Sequence, residues 1–170
     1  MKTFIAGMLI AMSSFPSLGQ SSAWSLSTVS NTNKETVGYI YHVYARGIMS
    51  RTRQSGYHFA AGLRFVCSTK SKENASPIIA VFWNGPLMVN PMHEINITVD
   101  NTAGLNEKWY HEGSLLYSNT VDQPSLIAAM KQGKTIKFSW EGNDFSKYVV
   151  VFDLKDFKFA EFNSACKTQL

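Results

Sequence analysis

The sequence predicts a mainly β domain: an antiparallel β-sandwich, or a partly open barrel, with one or two short C-terminal helices and one disulfide. Three observations carry this. Seven or eight short runs of β-branched and aromatic residues recur, many alternating apolar with polar, and turn residues interrupt them about every ten positions. Only two segments, both in the last third of the chain, show helical spacing. Two cysteines, Cys67 and Cys166, stand far apart in the chain.

The elements follow in order. Trp24 to Val29 alternates as a strand with one buried face does, and Asn31-Thr32-Asn33-Lys34 is a turn. Val37 to Ala45 is β-branched and aromatic, hence strand; Arg46 to Gly56 is polar and basic and reads as an exposed loop. In Phe59 to Ser68 the residues Leu63, Phe65 and Cys67 share one face, with Arg64 and Val66 on the other. Ile78 to Trp83 is short and wholly apolar, as a central strand is. Ile95 to Asp100 alternates, Lys108-Trp109-Tyr110 opens another strand, and Leu115-Leu116-Tyr117 follows a tight turn at Gly113-Ser114.

Pro124 to Gln132 breaks the pattern. Proline near the start, Lys131 in the last turn and Gly133 just past the end are helix punctuation, and Leu126, Ile127 and Met130 make one apolar stripe. Lys134 to Trp140 alternates strictly, Glu141 to Asp144 is a hairpin loop, and Tyr148 to Leu154 is the strongest strand signal in the chain. In the tail, Phe159, Phe162 and Cys166 fall at i, i+3 and i+7, so a short helix turns its cysteine inward.

The start of the chain reads as a cleavable secretory leader. Lys2 precedes an apolar run from Phe4 to Met12, and Ser17 and Gly19 are the small residues that signal peptidase accepts. Cleavage is placed after Gly19, with Ala23 as a second site. The run is about nine to twelve residues, too short for a bilayer that needs about 20. Residues 20–170 then form a single β-sandwich domain, with no later stretch of spanning length, so no integral membrane segment is expected after cleavage.

Composition narrows the partners. The chain has 16 Lys+Arg against 12 Asp+Glu, and loss of Lys2 leaves 15 against 12, a net +3. The basic residues are scattered apart from Arg46, Arg51 and Arg53, so there is no electrostatic footprint of a nucleic-acid partner. Export places both cysteines in an oxidising compartment, where two lone thiols pair. A Cys67–Cys166 bridge would close a loop of about 100 residues, worth roughly 4–5 kcal/mol on the chain-entropy model. A metal pair or a catalytic thiol is the alternative, and neither cysteine has a neighbouring histidine in sequence.

Motifs for chemistry are few. His42, His58, His93 and His111 show no metal spacing and read as surface or rim residues. Ser114 in His111-Glu112-Gly113-Ser114 lacks a strand-to-helix elbow and reads as turn chemistry. Asp153 within Phe152-Asp153-Leu154 reads as a strand-end acid facing water or an arginine. The reading is therefore non-enzymatic, with no cofactor and no metal. The exposed polar cluster Arg46, Arg51, Arg53, Tyr57 and His58 is the candidate partner-binding surface, because guanidinium groups pair with carboxylates of proteins or peptidoglycan stems.

The run Leu63-Arg64-Phe65-Val66-Cys67, the apolar strand ending in Trp83, Ile97-Thr98-Val99-Asp100, Trp109, the helix at 124–132, Val151-Phe152-Asp153-Leu154 and Ala165-Cys166 stand in an order that resembles the periplasmic VasI/TagO-like proteins associated with type VI secretion. The closing strand, helix and cysteine are also similar to invasion-associated locus B proteins. Either resemblance implies a non-catalytic periplasmic β domain. Two functions follow as expectations: an accessory protein holding an envelope protein or peptidoglycan, or a phage- or plasmid-encoded inhibitor or immunity-type protein acting on a lytic enzyme or other envelope protein.

Overall fold

The computed structural model describes residues 23–166 except 52–53, 69–76, 84–91, 101, 103, 114, 119–122 and 143–144. The leader and its cut after Gly19 lie outside the described residues. Among the described residues nine strands run in chain order: β1 (Ser25–Ser30), β2 (Thr36–Arg51), β3 (Gln54–Ser68), β4 (Ile78–Trp83), β5 (Met92–Val99), β6 (Leu105–Glu112), β7 (Leu115–Ser118), β8 (Thr135–Glu141) and β9 (Lys147–Asp153). Helix α1 (Gln123–Gln132) joins β7 to β8, and α2 (Phe159–Cys166) follows β9.

All strand pairs are antiparallel, in the order β1-β2-β3-β4-β7-β6-β5-β8-β9. A second pairing, β2 with β9, closes eight of the strands into a barrel. The choice between sandwich and partly open barrel is thereby settled as a closed barrel. Closure needs a long strand, and β2 supplies it. Its residues 47–50 pair with β9, whereas residues 36–42 pair with β1, which lies outside the ring.

That long strand corrects one expectation. Arg46 to Gly56 is not an exposed loop: the two strands of one hairpin run through it, with Arg46 opposite Ala60 and Arg51 opposite Gln54. Among its described side chains, Arg46 and Ser50 stand on the outer face of a barrel wall, where alternation permits polar residues. The inner face is sterically demanding here. A Cβ on Gly47 would stand 2.2 Å from the tip of the Phe59 ring, so the glycine makes room for the aromatic ring across the hairpin.

The barrel interior is filled rather than hollow. Val43, Leu63, Phe65, Ile79, Trp83, Trp109, Leu116, Phe138 and Phe152 are among its buried side chains. Both helices close one end, since α1 enters β8 where Thr135 pairs with Asp153, the last residue of β9. Leu126, Ile127 and Met130 of α1 and Phe159, Phe162 and Cys166 of α2 face inward, as the spacing predicts. An aromatic cluster seats the tail there: Phe65 lies 5.4 Å from Phe159, and Tyr41 lies 6.1 Å from Phe162. The Tyr41 hydroxyl accepts the backbone N–H of Lys158 at 2.7 Å. Trp24 stacks on Tyr41 at 4.9 Å and donates its indole N–H to the Asp153 carbonyl at 3.0 Å, which pins the entry to β1. The Cys67–Cys166 disulfide joins β3 to α2 across 99 residues of chain.

Candidate functional site

A barrel filled with side chains leaves its outer surface as the place to meet a partner. The expected cluster falls there in part. Arg46 and His58 are exposed and point outward from neighbouring strands, with Ile48 opposite His58 and Ala60 opposite Arg46. Tyr57 is 50 % exposed at the start of β3, but alternation sends it to the other side of the sheet from His58. The Arg51 side chain and all of Arg53 lie outside the described residues.

Further along the same outer face sits a residue that the sequence reading placed outward but did not single out. Arg64 is only 7 % exposed although it faces away from the barrel interior. Strand register puts it in a row with His42 on β2, Ala80 on β4, Tyr117 on β7 and Tyr110 on β6. The adjacent row is Tyr44, Gly62, Phe82 and Leu115. Gly62 and Ala80 form a low floor; a Cβ on Gly62 would come within 3.0 Å of two carbons of the Tyr44 ring. The rings of Tyr44 and Phe82 rise on either side, their centroids 5.9 and 5.1 Å from the guanidinium carbon. The guanidinium thus gains cation–π attraction, and its Nη2 donates to the Tyr44 hydroxyl at 3.2 Å.

Among the described residues the charge has no counterpart. Among the described residues no carboxylate pairs with Arg64, and its Nε is buried with no acceptor. His42 is its neighbour. The Nε2 of His42 shares a hydrogen bond of 3.0 Å with the Ser25 hydroxyl. Burial, and then the positive charge of Arg64, holds the His42 pKa below its ordinary value of 6.5. His42 is therefore a neutral wall of the trough at neutral pH, not a second cation.

The other histidines and acids have structural surroundings. His93 is buried, not a surface residue: its parity on β5 turns it into the wall, where its ring lies 5.9 Å from that of His111. His111 bonds through Nε2 to the Gly113 carbonyl at 2.5 Å, which ties it to its own turn. Asp153 is exposed at the end of β9 and accepts the Lys155 N–H at 2.7 Å, in keeping with a strand-end acid. Asp100 binds the backbone N–H groups of Lys134 and Thr135, both at 2.9 Å, and those bonds hold its carboxyl below the usual range. It clips the end of β5 to the start of β8. At the capped end a groove of about 280 Å³ between α1 and α2 is lined by Ile127, Lys131 and Phe159.

Sequence reasoning could have flagged Arg64 by one signal, a charge in the middle of the apolar run FAAGLRFVC. Its surroundings come from four other strands and were not readable along the chain. Comparison with protein-family models, with curated proteins and with solved structures returns no match. The fold and the site therefore define a class on their own terms: a disulfide-bridged, helix-capped antiparallel barrel with a cationic, aromatic outer wall.

Proposed function

We propose that this chain is an exported, non-catalytic binding protein of the bacterial envelope that meets its partner with the outer face of the β2–β3 hairpin. The observation that carries the reading is the continuity of that face. Arg46 and His58 stand exposed beside Ile48, and Tyr44 and Arg64 continue the same surface along the two strands. Arginine and tyrosine set among apolar residues is the composition of binding hot spots. The leader predicted at residues 1–19 and the Cys67–Cys166 bridge support export, because such bridges persist in oxidising compartments. The resemblance to VasI/TagO-like proteins points to an accessory role at the envelope and to an envelope protein or peptidoglycan as the target.

The test is fractionation followed by capture. The processed, bridged protein is expected in the osmotic-shock fraction, and it should retain an envelope protein or sediment with purified peptidoglycan. The triple variant Arg46→Ala, Arg51→Ala, Arg53→Ala should lose that retention. An unprocessed chain that stays in the cytoplasm, or a variant that binds as well as the parent, refutes the proposal.

A further inference from the structure

We infer that Arg64 is the receptor for a carboxylate carried by an acidic segment of a protein partner, bound in the trough between Tyr44 and Phe82. The inference rests on the reading of this face as a binding surface and gives it a ligand chemistry. Three observations meet at the site. Arg64 as a residue is 7 % exposed, its Nε is buried without an acceptor, and no carboxylate among the described residues pairs with it. A charge in this position is costly unless something of opposite sign completes it. Gly62 and Ala80 put no large side chain on the floor beside it.

The walls select the ligand. Tyr44 and Phe82 offer ring faces and edges, and exposed Ile78 and Tyr110 extend the apolar ground around the trough. An apolar peptide carrying one Asp or Glu fits this frame: its side chains cover the rings while its carboxylate takes the guanidinium. A hydrated inorganic anion would satisfy the charge alone and leave the aromatic ground uncovered.

The probe is a short peptide, acetyl-Leu-Glu-Leu-amide, titrated into the oxidised protein carrying ¹⁵N-labelled arginine and followed at the Arg64 Nε–H resonance. The Glu peptide should shift that resonance saturably. The matched Gln peptide should bind at least about tenfold more weakly, as loss of a charge-assisted bond predicts. Sodium phosphate and sodium acetate at the same ionic strength should shift it less than the Glu peptide does. Arg64→Gln, followed with Arg64→Lys and the parent by the backbone amide shifts of Leu63 and Phe65 because the Nε–H is lost, should abolish the Glu preference while keeping the folded spectrum. Arg64→Lys serves as the second variant, retaining charge without the planar fork, and should bind in between. Equal binding of the Glu and Gln peptides overturns the inference, as does phosphate binding tighter than the Glu peptide. So does a Glu preference that survives in folded Arg64→Gln or Arg64→Lys protein at full strength. Because the probe needs neither export nor the arginines at 46, 51 and 53, its failure leaves the envelope reading standing. Conversely, loss of the envelope reading leaves a positive titration intact.

Discussion

The two faces of β3 are built under different rules. Leu63, Phe65 and Cys67 point inward, where they are buried in the hydrophobic core. Arg64, one residue away, points outward and lies against the Tyr44 and Phe82 rings of the adjacent strands. The inner face is therefore a stability element. The outer face holds a charge whose contacts are one hydroxyl and two rings, an arrangement expected to contribute little to holding the fold.

The contrast can be broken from either side. The largest loss should come from Phe65→Ala, which empties a site packed against Phe159 and Phe162 and should cost about 3–5 kcal/mol by urea denaturation. A cost below about 1 kcal/mol would mean that the aromatic cluster does not seat the tail. Replacing both cysteines with serine should cost roughly 2–5 kcal/mol in the same assay, through the long loop that the bridge closes. Gly47→Ala drives a methyl into the Phe59 ring and should cost about 1–3 kcal/mol. Arg64→Met is the counterpart on the outer face. It removes a buried charge that no carboxylate among the described residues pairs with, and should change stability by less than about 1 kcal/mol, or raise it. A loss as large as that of Phe65→Ala would place Arg64 among the structural residues and dissolve the distinction.

The smallest effects are pH dependent. The His42 pKa is depressed in the folded state by burial first and Arg64 second. Its contribution is complete above its unfolded pKa of about 6.5 and is lost as the pH falls from there through the folded value. His42→Gln should flatten that part of the stability curve, and an unchanged slope between parent and variant would contradict the assignment. Asp100, whose pKa is depressed by the Thr135 and Lys134 N–H bonds, acts lower on the scale. Its clip is present above the ordinary carboxylate range and is lost as acid protonates it, so Asp100→Asn should remove the acid limb of that loss.

Most of the local structure was legible along the chain. Alternation placed Leu63, Phe65 and Cys67 on one face, and i, i+3, i+7 spacing turned Phe159, Phe162 and Cys166 inward, because periods of two and 3.6 are properties of the backbone. The 46–56 segment was misread for the same physical reason. One face of a barrel wall is wetted, so its strands carry polar residues that resemble a loop. His93 was misplaced because its burial depends on which way β5 faces, and an isolated histidine carries no sign of that.

By itself, then, the sequence determined most of the strand segments outside 46–56, where the two helices fall, and which two thiols are available to pair. Those follow from local propensity, spacing and the number of cysteines. Only the tertiary structure decided that β2 reaches β9 and closes the ring, and that a guanidinium on β3 lies between rings from β2 and β4. Register between strands distant in sequence is set by how side chains pack across the sheet, and no period within a single strand encodes it.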